Sequence, residues 1–264
     1  MSKIKTLILD WAGTAIDFGC FAPVDAFAAA FETFGIVPTI RETRAPMGLA
    51  KRAHIAKMLD GERLSALWRK KYGTAHTAED IDKIYARFEP ALFAVLNKYA
   101  EPLPGVLETV REIRSLGISI GSTTGYTRAM MNVVAPLAAQ NGYAPDCLVC
   151  PEDVGGLGRP YPYMLWRNLE KLGTLSICEV IKVGDTAADM EEGKNAGCLC
   201  VGVIKGSCML GLDDDKFARL SEAERIDKFS EAERRYTDAG ADFVLHDITE
   251  LPNLIHQLND GRTI

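Results

Sequence analysis

From Pro104 onward, short apolar runs alternate with stretches of helical length and periodicity. The helical stretches cover 106–116, 128–140, 161–172 and 187–196, and the apolar runs cover 118–121, 147–149, 180–183 and 198–203. Strands alternating with crossover helices build a parallel sheet, so this half of the chain dictates an α/β class. A further run over residues 4–9 is continuously apolar from Leu7 to Leu9, the pattern of a strand buried on both faces. Between it and the rest, from Ala22 to Ala100, only helical patterns occur. They span 24–34, 49–59, 62–71 and 78–99 and break at Gly35, Pro38, Gly61 and Gly73. The expected fold is therefore α/β, a doubly wound, mainly parallel sheet with an all-helical domain inserted after its first strand. The core would comprise residues 1–20 and 101–264 and the insertion residues 21–100. A strand over 241–245 and a helix over 247–258 close the chain. The charged segment 206–240 repeats Ser-Glu-Ala-Glu-Arg at 221–225 and 230–234, each copy a helix-start pattern for a solvated helix.

Composition excludes several functions. The chain has 264 residues, net charge −6 and a hydrophobic share of 47%. That acidity argues against a protein that tracks nucleic-acid phosphates. No apolar run approaches the roughly 18 residues of a spanning helix, and the N-terminal run stops at Asp10, before a signal-peptide core forms. The reading is a cytoplasmic protein with no membrane partner. Seven cysteines, an odd number, lie mostly in apolar runs, as buried free thiols do. Cys147 and Cys150 spell C-x-x-C, but three residues along a strand put the side chains on opposite faces, and no second pair completes a zinc site.

Each of four strand ends carries polar residues. The first has Asp10; the second has Ser122-Thr123-Thr124-Gly125-Tyr126; the third has Glu152 and Asp153 with Arg159 behind; the fourth has Asp185 and Asp189. Any one of these is an ordinary helix cap or turn former. Four at corresponding places define a pocket, since open α/β sheets bind ligands beyond the carboxyl ends of their strands.

This set, Asp10-x-Ala-Gly-Thr14 with Thr124, a basic residue and Gly184-Asp185-x3-Asp189, resembles the four motifs of the haloacid dehalogenase superfamily. The resemblance covers the core, about two thirds of the chain. It implies that Asp10 attacks phosphorus, Thr124 holds a phosphoryl oxygen, Arg159 neutralises charge and Asp185 holds magnesium, with Asp189 nearby orienting the ligands. Such a carboxylate can approach an anionic phosphoryl group only where cations offset the repulsion.

Two departures sharpen the expectation. Phosphatases of the superfamily carry a second aspartate two residues after the nucleophile, to protonate a departing alkoxide; here that position is Ala12, which has no proton to give. In the insertion, Lys51 follows Pro-Met-Gly at a helix start, where the positive end of the helix dipole lowers an ammonium pKa, and an amine so depressed forms imines with aldehydes. His54, three residues on, shares its helical face. Residues 10–14, 17–23, 46–51, 121–128, 158–162 and 182–186 together resemble one branch of the superfamily, which cleaves a carbon–phosphorus bond. That branch implies a Schiff base on Lys51 and an aspartyl phosphate on Asp10, with Mg²⁺ held by Asp10, Asp185 and the carbonyl of Ala12. It also implies a small phosphonate aldehyde as substrate, bound by Thr124, Gly125 and Arg159 and flanked by Met47, Gly48, His54, Tyr126 and Cys20, and a homodimer joined through the helical domain. Competing readings are a phosphate-ester phosphatase, a magnesium-free dehalogenase, and a non-catalytic phosphoanion-binding protein on the same fold.

Overall fold

The computed structural model describes residues 3–261. Strand β1 (Thr6–Leu9) opens the chain and is wholly buried. Five helices follow: α1 (Phe21–Glu32), α2 (Ile40–Arg44), α3 (Lys51–Asp60), α4 (Glu62–Tyr72) and α5 (Ala78–Phe93). Then come α6 (Val106–Ser115), β2 (Ser119–Thr123), α7 (Arg128–Gln140), β3 (Cys147–Val149), α8 (Tyr163–Leu172), β4 (Val180–Gly184), α9 (Ala187–Ala196) and β5 (Leu199–Val203). The chain finishes with α10 (Asp214–Ala218), α11 (Glu222–Asp238), β6 (Phe243–Leu245) and α12 (Leu251–Asn259).

The strands form one parallel sheet in the order β3-β2-β1-β4-β5-β6. The order reverses at β1, so the crevice beyond β1 and β4 is the switch point where such sheets bind ligands. Asp10 and Asp185 each directly follow one of these two adjacent strands. No helix among the described residues is long and apolar enough to cross a membrane.

The helical insertion holds together through its apolar faces. Phe27 of α1 stacks on Phe88 of α5 at 4.1 Å between ring centres, and Ile55, Leu59, Leu64 and Ile84 are buried with them. The insertion also meets the core closely at two glycines. Gly48 has φ +92°, and a Cβ there would come within 2.3 Å of the Thr186 hydroxyl. From the other side, a Cβ on Gly125 would come within 2.6 Å of the Leu49 carbonyl. Only residues without side chains let the two parts approach this far.

Three local expectations change. The helical pattern over 78–99 divides into α5 and a 3-10 turn, Leu96–Tyr99, which buries Leu96. Helix α2 had no sequence prediction; a capping box of Thr39 and Glu42 starts its single short stretch. The second Ser-Glu-Ala-Glu-Arg copy starts no helix. Ser221 caps α11, whereas Ser230 lies in its interior, because Phe229, Ala232 and Tyr236 continue one buried face through it. All seven cysteines are free thiols, Cys147 and Cys150 included.

Candidate active site

Beyond β1 and β4 the core gathers a buried charge network. Arg159 is fully buried and meets three carboxylates: its Nη2 lies 2.6 Å from Asp10 Oδ1 and 3.0 Å from Asp189 Oδ1, and its Nε lies 3.0 Å from Glu192 Oε2. Lys182, in the middle of β4, reaches Asp189 at 2.8 Å and Glu192 at 3.3 Å. Both cations also donate to the Thr123 hydroxyl at 2.9 Å. Breaking such a buried pair from one side leaves a desolvated charge behind and costs about 3–5 kcal/mol, so the network holds its members in place.

Asp185 stands at the edge of this network without a cation. It accepts from the Cys208 amide at 2.7 Å and from the Thr14 hydroxyl at 3.3 Å. Burial, with Asp10 and Asp189 close by, pushes its carboxyl well above the usual range, and burial raises Asp10 as well despite Arg159. Four buried carboxylates, Asp10, Asp185, Asp189 and Glu192, thus face two buried cations, Arg159 and Lys182. One oxygen each from Asp10, Asp185 and Asp189 fall within 4.8 Å of one another. Hard oxygen donors carrying two surplus negative charges suit a divalent cation of the magnesium class. The third carboxylate in this cluster is Asp189, whose Oδ2 accepts from Thr186 and completes the capping box of α9. The carbonyl of Ala12 accepts from the Cys20 thiol at 2.9 Å.

A small cavity, of about 20 Å³, lies between core and insertion. Asp10, Ala12, Thr124, Gly125, Tyr126 and Arg159 line it from the core, with Cys20 at the head of α1; Met47, Gly48 and Lys51 line it from the insertion. Pro23 and Thr186, not anticipated from sequence, line it too. Lys51 is 4% exposed and enters no ion pair among the described residues, and its Nζ lies 4.7 Å from the centre of the Tyr126 ring. Burial lowers its pKa from the ordinary 10.5 to about 8, offset in part by nearby Cys20 and Asp10. Desolvation depresses this amine, and its place as the first residue of α3 acts in the same direction.

His54 is placed differently from the expectation. Its ring stacks on Phe27 at 4.0 Å, Nε2 lies 2.8 Å from the Thr43 carbonyl, and Nδ1 is buried without a partner. Burial first, and Lys51 second, hold it neutral, with a pKa well below the usual histidine value. Since a carbonyl only accepts, Nε2 carries the proton and Nδ1 presents a lone pair.

From sequence, Thr123 enters only in the second strand's polar run and Lys182 only within the 182–186 match, neither with a role, and Glu192 is not named. Lys182 carried a signal, a charge inside an otherwise apolar run, since a lysine in a doubly covered strand must find a buried partner. Glu192 looked like any helix-surface acid, and only the packing of α9 against β4 buries it.

The haloacid dehalogenase-like hydrolase family model matches residues 4–197. A Lysinibacillus sphaericus protein named phosphonoacetaldehyde hydrolase is 45% identical over 258 residues, 98% of this chain and 96% of that one. A Clostridioides difficile protein, named bifunctional phosphonoacetaldehyde hydrolase/aminoethylphosphonate transaminase, is 44% identical over 98% of this chain, which spans 40% of that longer protein. A crystal structure described as a phosphonoacetaldehyde hydrolase-like protein from Oleispira antarctica superposes with a TM-score of 0.94 at 36% identity, covering 100% of this chain and 96% of that chain. With motifs, sheet order and near-complete alignment all agreeing, the chain belongs to the haloacid dehalogenase-like hydrolases and, within them, to the phosphonoacetaldehyde hydrolase family.

Proposed function

We propose that this protein hydrolyses the carbon–phosphorus bond of phosphonoacetaldehyde to acetaldehyde and phosphate, as the names of its relatives indicate. The observation that carries the chemistry is the pairing of Lys51 and Asp10 on one cavity. One is a buried amine with a pKa near 8; the other is a carboxylate aligned by Arg159. In this reading residues 21–100 form a cap over a catalytic core of residues 1–20 and 101–264.

The free amine of Lys51 adds to the substrate aldehyde and loses water, giving a protonated imine. Asp10 then attacks phosphorus. The electron pair of the breaking P–C bond flows into the imine, leaving an enamine on Lys51 and an aspartyl phosphate on Asp10. The enamine takes a proton at carbon, water releases acetaldehyde and restores the amine, and a second water releases phosphate from Asp10. A phosphate ester would instead leave as an alkoxide needing an acid at position 12, where Ala12 supplies none. Thr124, Gly125 and Arg159 hold phosphonyl oxygens, while Met47, Gly48, Tyr126 and Cys20 enclose the aldehyde end.

Asp10, Asp185 and the Ala12 carbonyl would hold Mg²⁺, with Asp189 orienting them. When bound, the ion neutralises surplus carboxylate charge and polarises a phosphonyl oxygen. We place the enzyme in the cytoplasm, where its thiols stay reduced, as a homodimer joined through the cap.

Borohydride added with phosphonoacetaldehyde should fix a two-carbon or phosphonate-bearing adduct on Lys51, located by peptide mass spectrometry, while substrate alone yields phosphate and acetaldehyde. Full turnover with no adduct on Lys51 would remove the imine from the mechanism.

A further inference from the structure

Beside the reaction cavity lies a larger cleft of about 610 Å³, between α2 of the insertion and α11 of the core. Met47 and Thr186 line both spaces, so the cleft abuts the wall of the reaction cavity. Four guanidinium groups face it: Arg41 and Arg44 from α2, Arg234 and Arg235 from α11. Among the described residues none of the four has a carboxylate within 4.0 Å. Glu231 is the acid on the lining, leaving a local excess of three positive charges in a chain of net charge −6. Arg44 forms the inner wall. One terminal nitrogen donates to the Gly19 carbonyl at 2.6 Å and the Cys208 carbonyl at 3.1 Å, while its buried Nε has no partner.

Unpaired like charges gathered in one concavity repel each other, and low-dielectric walls focus their field outward. Elsewhere on the surface, arginines such as Arg52, Arg63 and Arg114 are paired with acids. Others, among them Arg69, Arg87 and Arg111, have no acid within 4.0 Å among the described residues either; what marks the cleft is that four such arginines share one concavity, against the reaction site. We propose that this cleft is an anion-capturing vestibule, which draws in a small phosphonyl or phosphoryl dianion and passes it between Met47 and Thr186 to the reaction cavity. The same charges would receive phosphate as it leaves. The identity of the dianion rests on the function proposed above; the capture of a dianion does not.

The test uses the full-length Mg²⁺-loaded protein with both exposed arginines of α11 replaced, Arg234→Gln/Arg235→Gln. At low ionic strength kcat/KM for phosphonoacetaldehyde should fall about five- to tenfold with kcat unchanged. The difference from wild type should shrink as salt is raised past about 0.5 M, where the Debye length falls to a few ångströms. A control with the same charge loss on α3 and α4, Lys57→Gln/Lys70→Gln, should leave kcat/KM within about twofold of wild type. An unchanged kcat/KM, a fall that persists at high salt, or an equal fall in the control would overturn the vestibule. Binding of inorganic phosphate, measured by calorimetry on the same proteins, separates the two claims. A wild type that does not turn over phosphonoacetaldehyde defeats the proposed function. Phosphate affinity weakened several-fold at low salt in the arginine variant alone would still support the vestibule, and equal affinity would overturn it.

Discussion

Lys182 and Lys51 are both buried, and they are held in opposite ways. Lys182 sits in β4 with Asp189 and Glu192 against its ammonium and Thr123 accepting from it. Lys51 faces a tyrosine ring and has no ion pair among the described residues. The difference divides the site into two solvents. On the core side, paired charges hold carboxylates in place for an anionic phosphonyl group, with the electrostatics fixed before the substrate arrives. On the cap side, the absence of pairing makes the ammonium costly, so the amine is available near neutral pH. One residue type is thus held as a paired cation or, in the proposed mechanism, freed to act as a nucleophile, according to what surrounds it.

The strongest way to break this comparison is to disable each half alone. Asp10→Asn removes the group proposed to attack phosphorus, and turnover should fall on the order of 10⁴-fold or more. Borohydride should still trap substrate on Lys51 in that variant, because the imine forms without Asp10. Lys51→Arg keeps the positive charge but cannot give a free amine, so turnover should fall at least about 10³-fold with no adduct. Magnesium binding by calorimetry should survive in Lys51→Arg. Loss of trapping in Asp10→Asn would show that the two halves do not act independently.

Stability gives the next contrast. Lys182→Met strips a partner from Asp189 and Glu192 and should destabilise the Mg²⁺-loaded protein by about 3–5 kcal/mol. Lys51→Met should do the reverse. The folded-state pKa of Lys51 is depressed, so between about pH 8 and 10.5 the unfolded chain binds more protons and stability rises with pH. The penalty for burying the ammonium is therefore complete below about pH 8 and gone above 10.5. Removing it should stabilise the protein at pH 7 by up to about 3 kcal/mol, the equivalent of that pKa difference. Urea midpoints at pH 7 and pH 10 check both signs; a Lys51→Met gain that does not shrink with pH would show that packing, not charge, produced it.

How much of this could be read in the chain depends on the range of the interactions involved. Alternating apolar runs and helical stretches are local signals, and helices α7 and α9 and strand β3 fall where those signals place them. Asp10, Asp185 and Arg159 were legible because each follows a strand or its turn, where topology alone brings them together. Lys51 was legible through its neighbour Gly48 and its contrast with Ala12. Glu192, the role of Thr123 and the arginine cleft were not. Glu192 needs α9 laid on β4 to become buried, and Arg44 and Arg235 meet across 191 positions of chain, a separation no local pattern encodes. The repeated Ser-Glu-Ala-Glu-Arg failed for the same reason, since burial of Phe229 and Tyr236 carries α11 through a start signal.

The smallest expected effect probes the apolar half most finely. The proposed imine needs the free amine, so kcat/KM should climb about tenfold per pH unit below the Lys51 pKa and level off above about pH 8. The ring of Tyr126 lies 4.7 Å from Nζ and favours the ammonium through its negative face. Such a contact is worth about 0.5–1 kcal/mol, or somewhat more when desolvated. Tyr126→Leu keeps the pocket apolar but withdraws that attraction, so the inflection should move toward acid by about half a pH unit. Tyr126→Phe retains the aromatic face and should leave the inflection where it is, whatever it does to KM. A shift of equal size in both variants would assign the effect to the hydroxyl, and a shift toward alkali in Tyr126→Leu would mean that water had entered beside Lys51 and relieved the desolvation on which its reactivity rests.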